Sequence, residues 1–224
     1  MPIKGIITID GPAGSGKSTV SRLLARRLGF LYLDTGAMYR AVALRCSREG
    51  ADPEDAQRLR EICKSMDLHF ETDVGHNPRL HIRDEDISLA IRSPEMDLLA
   101  SRVSAVRAVR EAMTQLQRQV GSRGDVVAEG RDMGTVVFPD ATHKFFLTAS
   151  ADVRVERRYR ERKDRGEEVS RADVEREMKQ RDTLDSTRPI APLHPAEDAK
   201  LIDTTGLDPD EVVAVILDII GKNL

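Results

Sequence analysis

The chain has 224 residues, 40% of them hydrophobic, 33% charged and 4% aromatic, with a formal charge of −3 at pH 7 and a pI near 6.0. This length suits one domain with room for a core and for insertions. The apolar fraction excludes a disordered chain, and the lack of a basic excess argues against a dedicated nucleic-acid binder.

The opening Met-Pro-Ile-Lys-Gly lacks the apolar core of a signal peptide and runs into a β-branched stretch at 3–9 that predicts a buried strand. A helix is expected from Gly16 to Leu28, then a short strand at Leu31–Leu33. A second helix should reach about Arg48, with Thr35 as its cap. At Gly50-Ala51-Asp52-Pro53 the character changes: residues 1–48 carry a net charge of +6 and residues 49–100 a net of −7.

Residues 67–72 and 79–83 predict antiparallel strands joined by a Gly75-His76-Asn77-Pro78 turn. One long helix should follow, with Val103, Val106, Val109, Met113 and Leu116 along one side. Strands are expected at 125–129 and 144–149, charged helices at 151–165 and 170–185, and a Pro-rich loop at 189–195. A strand at 200–204 and a helix at 210–220 close the pattern. The alternation of strand and helix predicts an α/β fold with a parallel sheet covered on both faces. No apolar run reaches the ~18 residues of a membrane span, so the expectation is a soluble cytoplasmic protein with no membrane partner. Cys46 and Cys63 fit neither a disulfide scaffold nor a CxxC metal pair.

Gly11, Pro12, Ala13, Gly14, Ser15, Gly16, Lys17 and Ser18 match G-x4-G-K-[ST], with Thr19 following. Glycines let the backbone wrap a phosphate at a helix N-terminus, where the free N–H groups and the dipole favour anions. Lys17 reaches the β- and γ-phosphates, and the Ser18 hydroxyl is a Mg²⁺ ligand. The motif predicts NTP binding without naming a reaction. The absence of an N/T-K-x-D segment weakens a GTPase switch reading.

Four further clusters bear on a second substrate. LDTGAMYR (33–40) sets Thr35, Tyr39 and Arg40 at a strand end, although a capped surface helix would show the same spacing. EGRDMGTVVFPDA (129–141) delivers Glu129, Arg131 and Asp132 to the carboxyl edge of the sheet, where open α/β folds bind ligands. RVERRYRERKDR (154–165) is either a solvated helix laced by pairs such as Arg157–Glu161 and Glu161–Arg165, or a lid with Arg154 and Arg158 on one face. RDTLDSTR (181–188) sets Arg181, Asp185 and Arg188 on one helical face if the helix persists that far, a ligand contact or an ion-pair ladder.

With GPAGSGKST, LDTGAMYR, GRDMGTVVFPDA and RD…D..R in order along essentially the whole length, the chain resembles the bacterial cytidylate kinases. The resemblance implies a P-loop kinase fold with a five-stranded parallel sheet. It divides the chain into a core (1–49, 101–150 and 189–224), an inserted NMP-binding subdomain (about 50–100) and a helical lid (about 151–170). It implies γ-phosphoryl transfer from ATP to CMP and dCMP, with Mg²⁺ as cofactor, by a monomer. Arg40 and Arg131 then hold the CMP phosphate; Thr35, Arg110, Asp132 and Arg188 surround the cytosine; Ser101, Arg181 and Asp185 approach the sugar. Glu129 stands where family members commonly have Asp, one methylene longer, so direct Mg²⁺ ligation and contact through a water both remain open.

An acceptor phosphate is already an anionic nucleophile, so alignment and charge neutralisation by Lys17, Arg131 and lid arginines such as Arg158 would suffice. The rival expectations are another P-loop small-molecule kinase, such as a UMP/CMP or shikimate-type enzyme, and a non-enzymatic NTP switch or RNA-associated module.

Overall fold

The computed structural model describes residues 5–72 and 78–222. The chain divides into two compact units, one formed by residues 1–33 and 123–224, the other by residues 34–122.

The first unit holds a five-stranded parallel sheet. Its strands are β1 (Ile6–Asp10), β2 (Leu31–Asp34, whose last residue opens the second unit), β6 (Val126–Gly130), β7 (His143–Thr148) and β8 (Lys200–Asp203), in the order β2-β6-β1-β7-β8. β1 is central, pairing parallel with β6 on one side and β7 on the other. Being covered on both faces, these strands read as apolar runs rather than alternating ones. Val126, Val127 and Ala128 are all inaccessible to solvent. Helices α1 (Lys17–Leu28) and α8 (Pro209–Gly221) pack on one face, where Ile7, Ile9, Leu24, Val127, Phe145, Leu147 and Ile216 form one core. Asp208 and Glu211 form a capping box at the start of α8. Helices α6 (Ala151–Asp164) and α7 (Arg171–Thr187) pack together through Val155, Val174 and Met178, with Ala13 in the same cluster.

The second unit holds α2 (Thr35–Arg48), α3 (Ala56–Ser65), α4 (Pro94–Val103) and α5 (Arg107–Gly121), with a 3₁₀ turn at Ala90–Arg92. It also holds an antiparallel sheet of β3 (Leu68–Thr72), β4 (Pro78–Ile82) and β5 (Glu85–Asp86). Leu68, Leu80 and Ile82 are buried from one face of that sheet. Cys46 and Cys63 are free buried thiols, consistent with packing residues.

Two sequence expectations are corrected, and one helix is added to them. Thr35 does not cap α2: Asp34, in extended conformation, accepts from the Ala37 N–H at 2.8 Å, and Thr35 is the first helical residue. The long helix expected through Val103–Leu116 is two helices, because Val106 is extended and begins α5 while the Ser104 hydroxyl donates back to the Ser101 carbonyl at 2.8 Å. Helix α3 went unread inside the acidic stretch, although Leu59, Ile62 and Cys63 are buried at helical spacing and Asp55 caps it. Of the first predicted strand, Ile3 and Lys4 lie outside the described residues, as do Gly75, His76 and Asn77 of the predicted turn. No described helix is long and apolar enough to cross a membrane.

Phe145 sits in β7 at the centre of the sheet and is 1% exposed. Phe145→Ala should destabilise the fold by about 3–5 kcal/mol, through lost burial and the cavity left behind. The check is urea unfolding followed by far-UV circular dichroism, with a lower midpoint and an unchanged m-value expected.

Candidate active site

Asp10 lies opposite Gly130, and Ile9 opposite Glu129, so β1 and β6 bring acidic residues to the carboxyl edge of the sheet. In open α/β sheets ligands bind at this edge, where the strand order reverses. The chain leaves β1 towards β2 on one side and later crosses to β7 on the other, so the reversal flanks β1.

The loop leaving β1 requires glycine. Gly11 has φ +151°, and a Cβ there would lie 2.1 Å from the Leu147 carbonyl oxygen. Gly16, at φ 84°, caps α1 with no side-chain hydrogen bond. The first N–H groups of α1 thus face the loop, a ready anion site. Side chains from late in the chain hold the loop from outside. Thr204 Oγ1 donates to the Ser15 carbonyl at 3.0 Å and accepts from Arg157 Nη1 at 2.9 Å. Arg154 Nη1 donates to the Ala13 carbonyl at 3.0 Å and to Asp182 at 2.7 Å.

This corrects the reading of α6. Arg157 is a brace on the loop rather than a partner of Glu161, which instead pairs with Arg158 at 2.7 Å and with Arg165. Of the two arginines expected together on a lid face, Arg154 contacts the phosphate loop while Arg158 pairs along its own helix.

Lys17 is 7% exposed, and its ammonium donates to the Pro12 carbonyl across the loop at 3.0 Å. Burial and the neighbouring Arg131 push its pKa down to about 7, against the opposing pull of Glu129. An entering polyanion would favour the charged form and reverse that shift.

Ser18 Oγ donates to Glu129 Oε2 at 2.7 Å, and the Tyr32 hydroxyl donates to Glu129 Oε1. The extra methylene of Glu129 is therefore accommodated, with both carboxylate oxygens held. Tyr32 was not singled out by the sequence; its only signal was a polar ring inside a short strand ahead of DTG.

Asp10 was also missed. It is buried, and its two oxygens accept from the Met133 and Gly134 N–H groups at 2.9 and 2.8 Å. Burial raises its pKa to about 6 despite those two hydrogen bonds. The available signal was an acid ending an apolar strand immediately before the glycine loop. The segment it grips, Met133–Val137, forms one π-helical turn, a geometry often found at functional sites.

Arg131 Nε donates to Asp185 at 2.8 Å, and Arg181 lies 4.0 Å from the same carboxylate. Burial alone would raise the Asp185 pKa, but Arg131, Arg181 and Arg188 outweigh it and hold it at about 2. Arg188 lies 3.6 Å from Asp132 and donates from Nε to the Ala191 carbonyl at 2.7 Å. Helix α7 ends at Thr187, so Arg188 is its C-terminal cap and the expected single helical face stops short of it. The first unit thus brings together Lys17, Glu129, Arg131, Asp132, Arg181, Asp185 and Arg188, all at most partly exposed.

The second unit assembles its own group. Arg110 is 3% exposed, stacks its guanidinium 5.4 Å over the Tyr39 ring, and donates to the Ser104 carbonyl at 3.1 Å. That carbonyl is accessible because the helix breaks after Val103. Ser101 is buried beside the break, and Thr35 is buried at the start of α2. Arg40 lies 3.3 Å from Asp34 and 3.6 Å from Asp97. Asp97 was a further residue the sequence reading passed over.

A family profile described as cytidylate kinase matches residues 7–222. A cytidylate kinase of Carboxydothermus hydrogenoformans is 49% identical over 217 residues, covering 96% of this chain and 97% of the relative. One from Syntrophotalea carbinolica is also 49% identical, covering 97% of this chain and 92% of its own. Among solved structures, a shikimate kinase from Bacteroides thetaiotaomicron matches with a TM-score of 0.51 at 12% identity, covering 98% of this chain and 99% of that one, a likeness of fold. The chain belongs to the cytidylate kinase family.

Proposed function

We propose that this chain transfers the γ-phosphoryl group of ATP to CMP, and also to dCMP, giving ADP and CDP or dCDP. The observation that carries the reading is the buried Lys17 ammonium within a glycine loop, beside the Arg131–Asp185 and Arg188–Asp132 pairs, in a chain of this family. A CMP phosphate oxygen attacks the γ-phosphorus, the bond from that phosphorus to the β-phosphate bridging oxygen breaks, and ADP leaves. No strong general base is required, because the nucleophile is already anionic.

Each residue then has a role. Gly11 to Thr19 cradle the ATP phosphates, with Lys17 turning from the Pro12 carbonyl to the β- and γ-phosphates. Arg40 and Arg131 neutralise the acceptor phosphate, letting two polyanions approach. Arg158, together with Arg154, serves the transferring group from a lid at about 151–170, and closure of that lid excludes water. Residues 50–100 form the inserted NMP-binding region. Asp132 accepts from cytosine N4, and Arg110 and Arg188 donate to N3 and O2. Thr35 and Tyr39 support the base, while Ser101, Arg181 and Asp185 serve the sugar. The enzyme works as a cytoplasmic monomer.

The residues present also fit Mg²⁺. The Ser18 hydroxyl and the Glu129 carboxylate meet at 2.7 Å and are hard oxygen donors. Ser18 would hold the ion directly, and Glu129 would act directly or through a water. When bound, Mg²⁺ supplies charge neutralisation on the β- and γ-phosphates.

An assay of ADP formation from ATP across CMP, dCMP, UMP and AMP tests the reading. Turnover is expected with CMP and dCMP, and ADP formation indifferent to any nucleoside monophosphate would overturn it. In the same assay, Asp132→Asn should narrow the CMP-over-UMP ratio of kcat/KM by about 10-fold or more, since uracil sets an oxygen against the native carboxylate. Equal losses on both substrates would remove this role.

Because Lys17 has a pKa of about 7 in the free protein, binding ATP should draw in close to one proton at pH 8 and almost none at pH 6. Calorimetry in buffers of different ionisation enthalpy reads the difference, and Lys17→Met should abolish it. Tyr32→Phe should raise the Mg²⁺ concentration needed for half-maximal rate by about 10-fold, with recovery at saturating Mg²⁺. An unchanged Mg²⁺ profile would assign the tyrosine to packing alone.

A further inference from the structure

The small antiparallel sheet of the second unit has a second face, opposite its buried one. Side chains alternate across a strand, and residues directly opposed on neighbouring strands share a face. His69 and Glu71 of β3 therefore point the same way, and His81 of β4 stands opposite His69. The two imidazoles are stacked, with centroids 5.4 Å apart and planes 19° from parallel.

Both rings aim Nε2 at one carboxylate, each at a different oxygen. His69 Nε2 lies 3.6 Å from Glu71 Oε1, and His81 Nε2 lies 3.6 Å from Glu71 Oε2. That separation is too long for a hydrogen bond. It is close to the spacing between ligand atoms around a tetrahedral ion with bonds of 2.0–2.1 Å, about 3.3–3.4 Å. The ligand atoms of all three residues fall within 4.8 Å of one another. His81 Nε2 is buried and has no hydrogen-bond partner among the described residues.

We propose that His69, Glu71 and His81 form a binding site for a divalent transition-metal ion, Zn²⁺ foremost, that ties β3 to β4. Two imidazole nitrogens and one carboxylate oxygen are the donor set that borderline ions prefer, with water completing the coordination. Mg²⁺ is a poor match, because it demands an octahedral oxygen shell. This separates the site from the ion that accompanies ATP. Residues 49–100 carry a net charge of −7; the nearest acid, Asp86 of β5, flanks His81 in register and is paired at 2.8 Å with Arg79, which stands opposite Glu71. His69 and Glu71 are solvent-exposed, which gives an ion an open route in.

The test is equilibrium dialysis of the full chain, free of nucleotide, against ZnCl₂ in excess Mg²⁺. One Zn²⁺ per chain is expected. The His69→Gln/His81→Gln double variant should bind more than ~10-fold more weakly, while its far-UV circular dichroism and its Tm without Zn²⁺, taken as the fold check, match the wild type. Zn²⁺ at roughly 100 times its Kd should raise the wild-type Tm by about 5 °C or more and leave the variant unmoved. Should the double variant misfold, Co²⁺ decides the matter on the wild type. Intense visible bands of a four- or five-coordinate complex support the site, and the weak spectrum of hexa-aquo Co²⁺ overturns it. Equal Zn²⁺ uptake by a folded double variant, or none by the wild type, overturns it as well.

Discussion

Charge is buried at the carboxyl edge of the sheet, and the surrounding structure is arranged to tolerate it. Lys17, Glu129, Asp10, Asp132 and Asp185 are each 7% exposed or less, and taking such groups out of water is expensive unless each is hydrogen-bonded or paired. The carboxylates meet that requirement inside the protein. Asp10 takes two backbone N–H groups, Glu129 takes two hydroxyls, and Asp185 takes Arg131. Lys17 instead rests on a neutral carbonyl, and burial together with the nearby Arg131 lowers its pKa. The free site is thus left under-supplied with negative charge at the one point where a triphosphate would bring it, so binding and charge compensation become the same event.

The carboxylates also decide the shape of the loops. Asp10 closes β1 and, by gripping two successive N–H groups, fixes the start of the π-helical turn that follows Asp132. Gly134 packs closely there, since a Cβ would lie 3.1 Å from the Thr8 hydroxyl and 3.2 Å from the Lys144 side chain. The strand that launches the phosphate loop therefore also orients the segment that carries Arg131 and Asp132. One strand end thus anchors both loops.

The sheet and its glycine loop were legible because their signals are local. An apolar run ending in Asp10-Gly11-Pro12, followed by G-x4-G-K-S, states strand, turn and helix N-terminus within a short window. The arginines and acids at 131, 132, 181, 185 and 188 could be selected as types in suggestive spacing. Their pairings, such as Arg131 with Asp185 and Arg188 with Asp132, join segments far apart in sequence and have no local trace. Arg157 shows the limit most clearly: the i,i+4 rule offered Glu161, and tertiary packing offered Thr204 instead. Helix α3 was missed for the opposite reason, since its charged exterior masked three buried positions. The break at Ser104–Val106 was hidden because Val103, Val106 and Val109 fit one helical stripe equally well.

The brace from Thr204 to the Ser15 carbonyl, backed by Arg157, has a bearing on how the molecule comes into being. Ser15 leaves the ribosome 189 residues before Thr204. The central strand β1 likewise waits for β6 and β7 before it has neighbours on both sides. Since chains are made N-terminus first at a few to tens of residues per second, the glycine loop is without this brace while those residues are added. A chain lacking β8 and the residues after it would carry the whole glycine motif without the tie from Thr204.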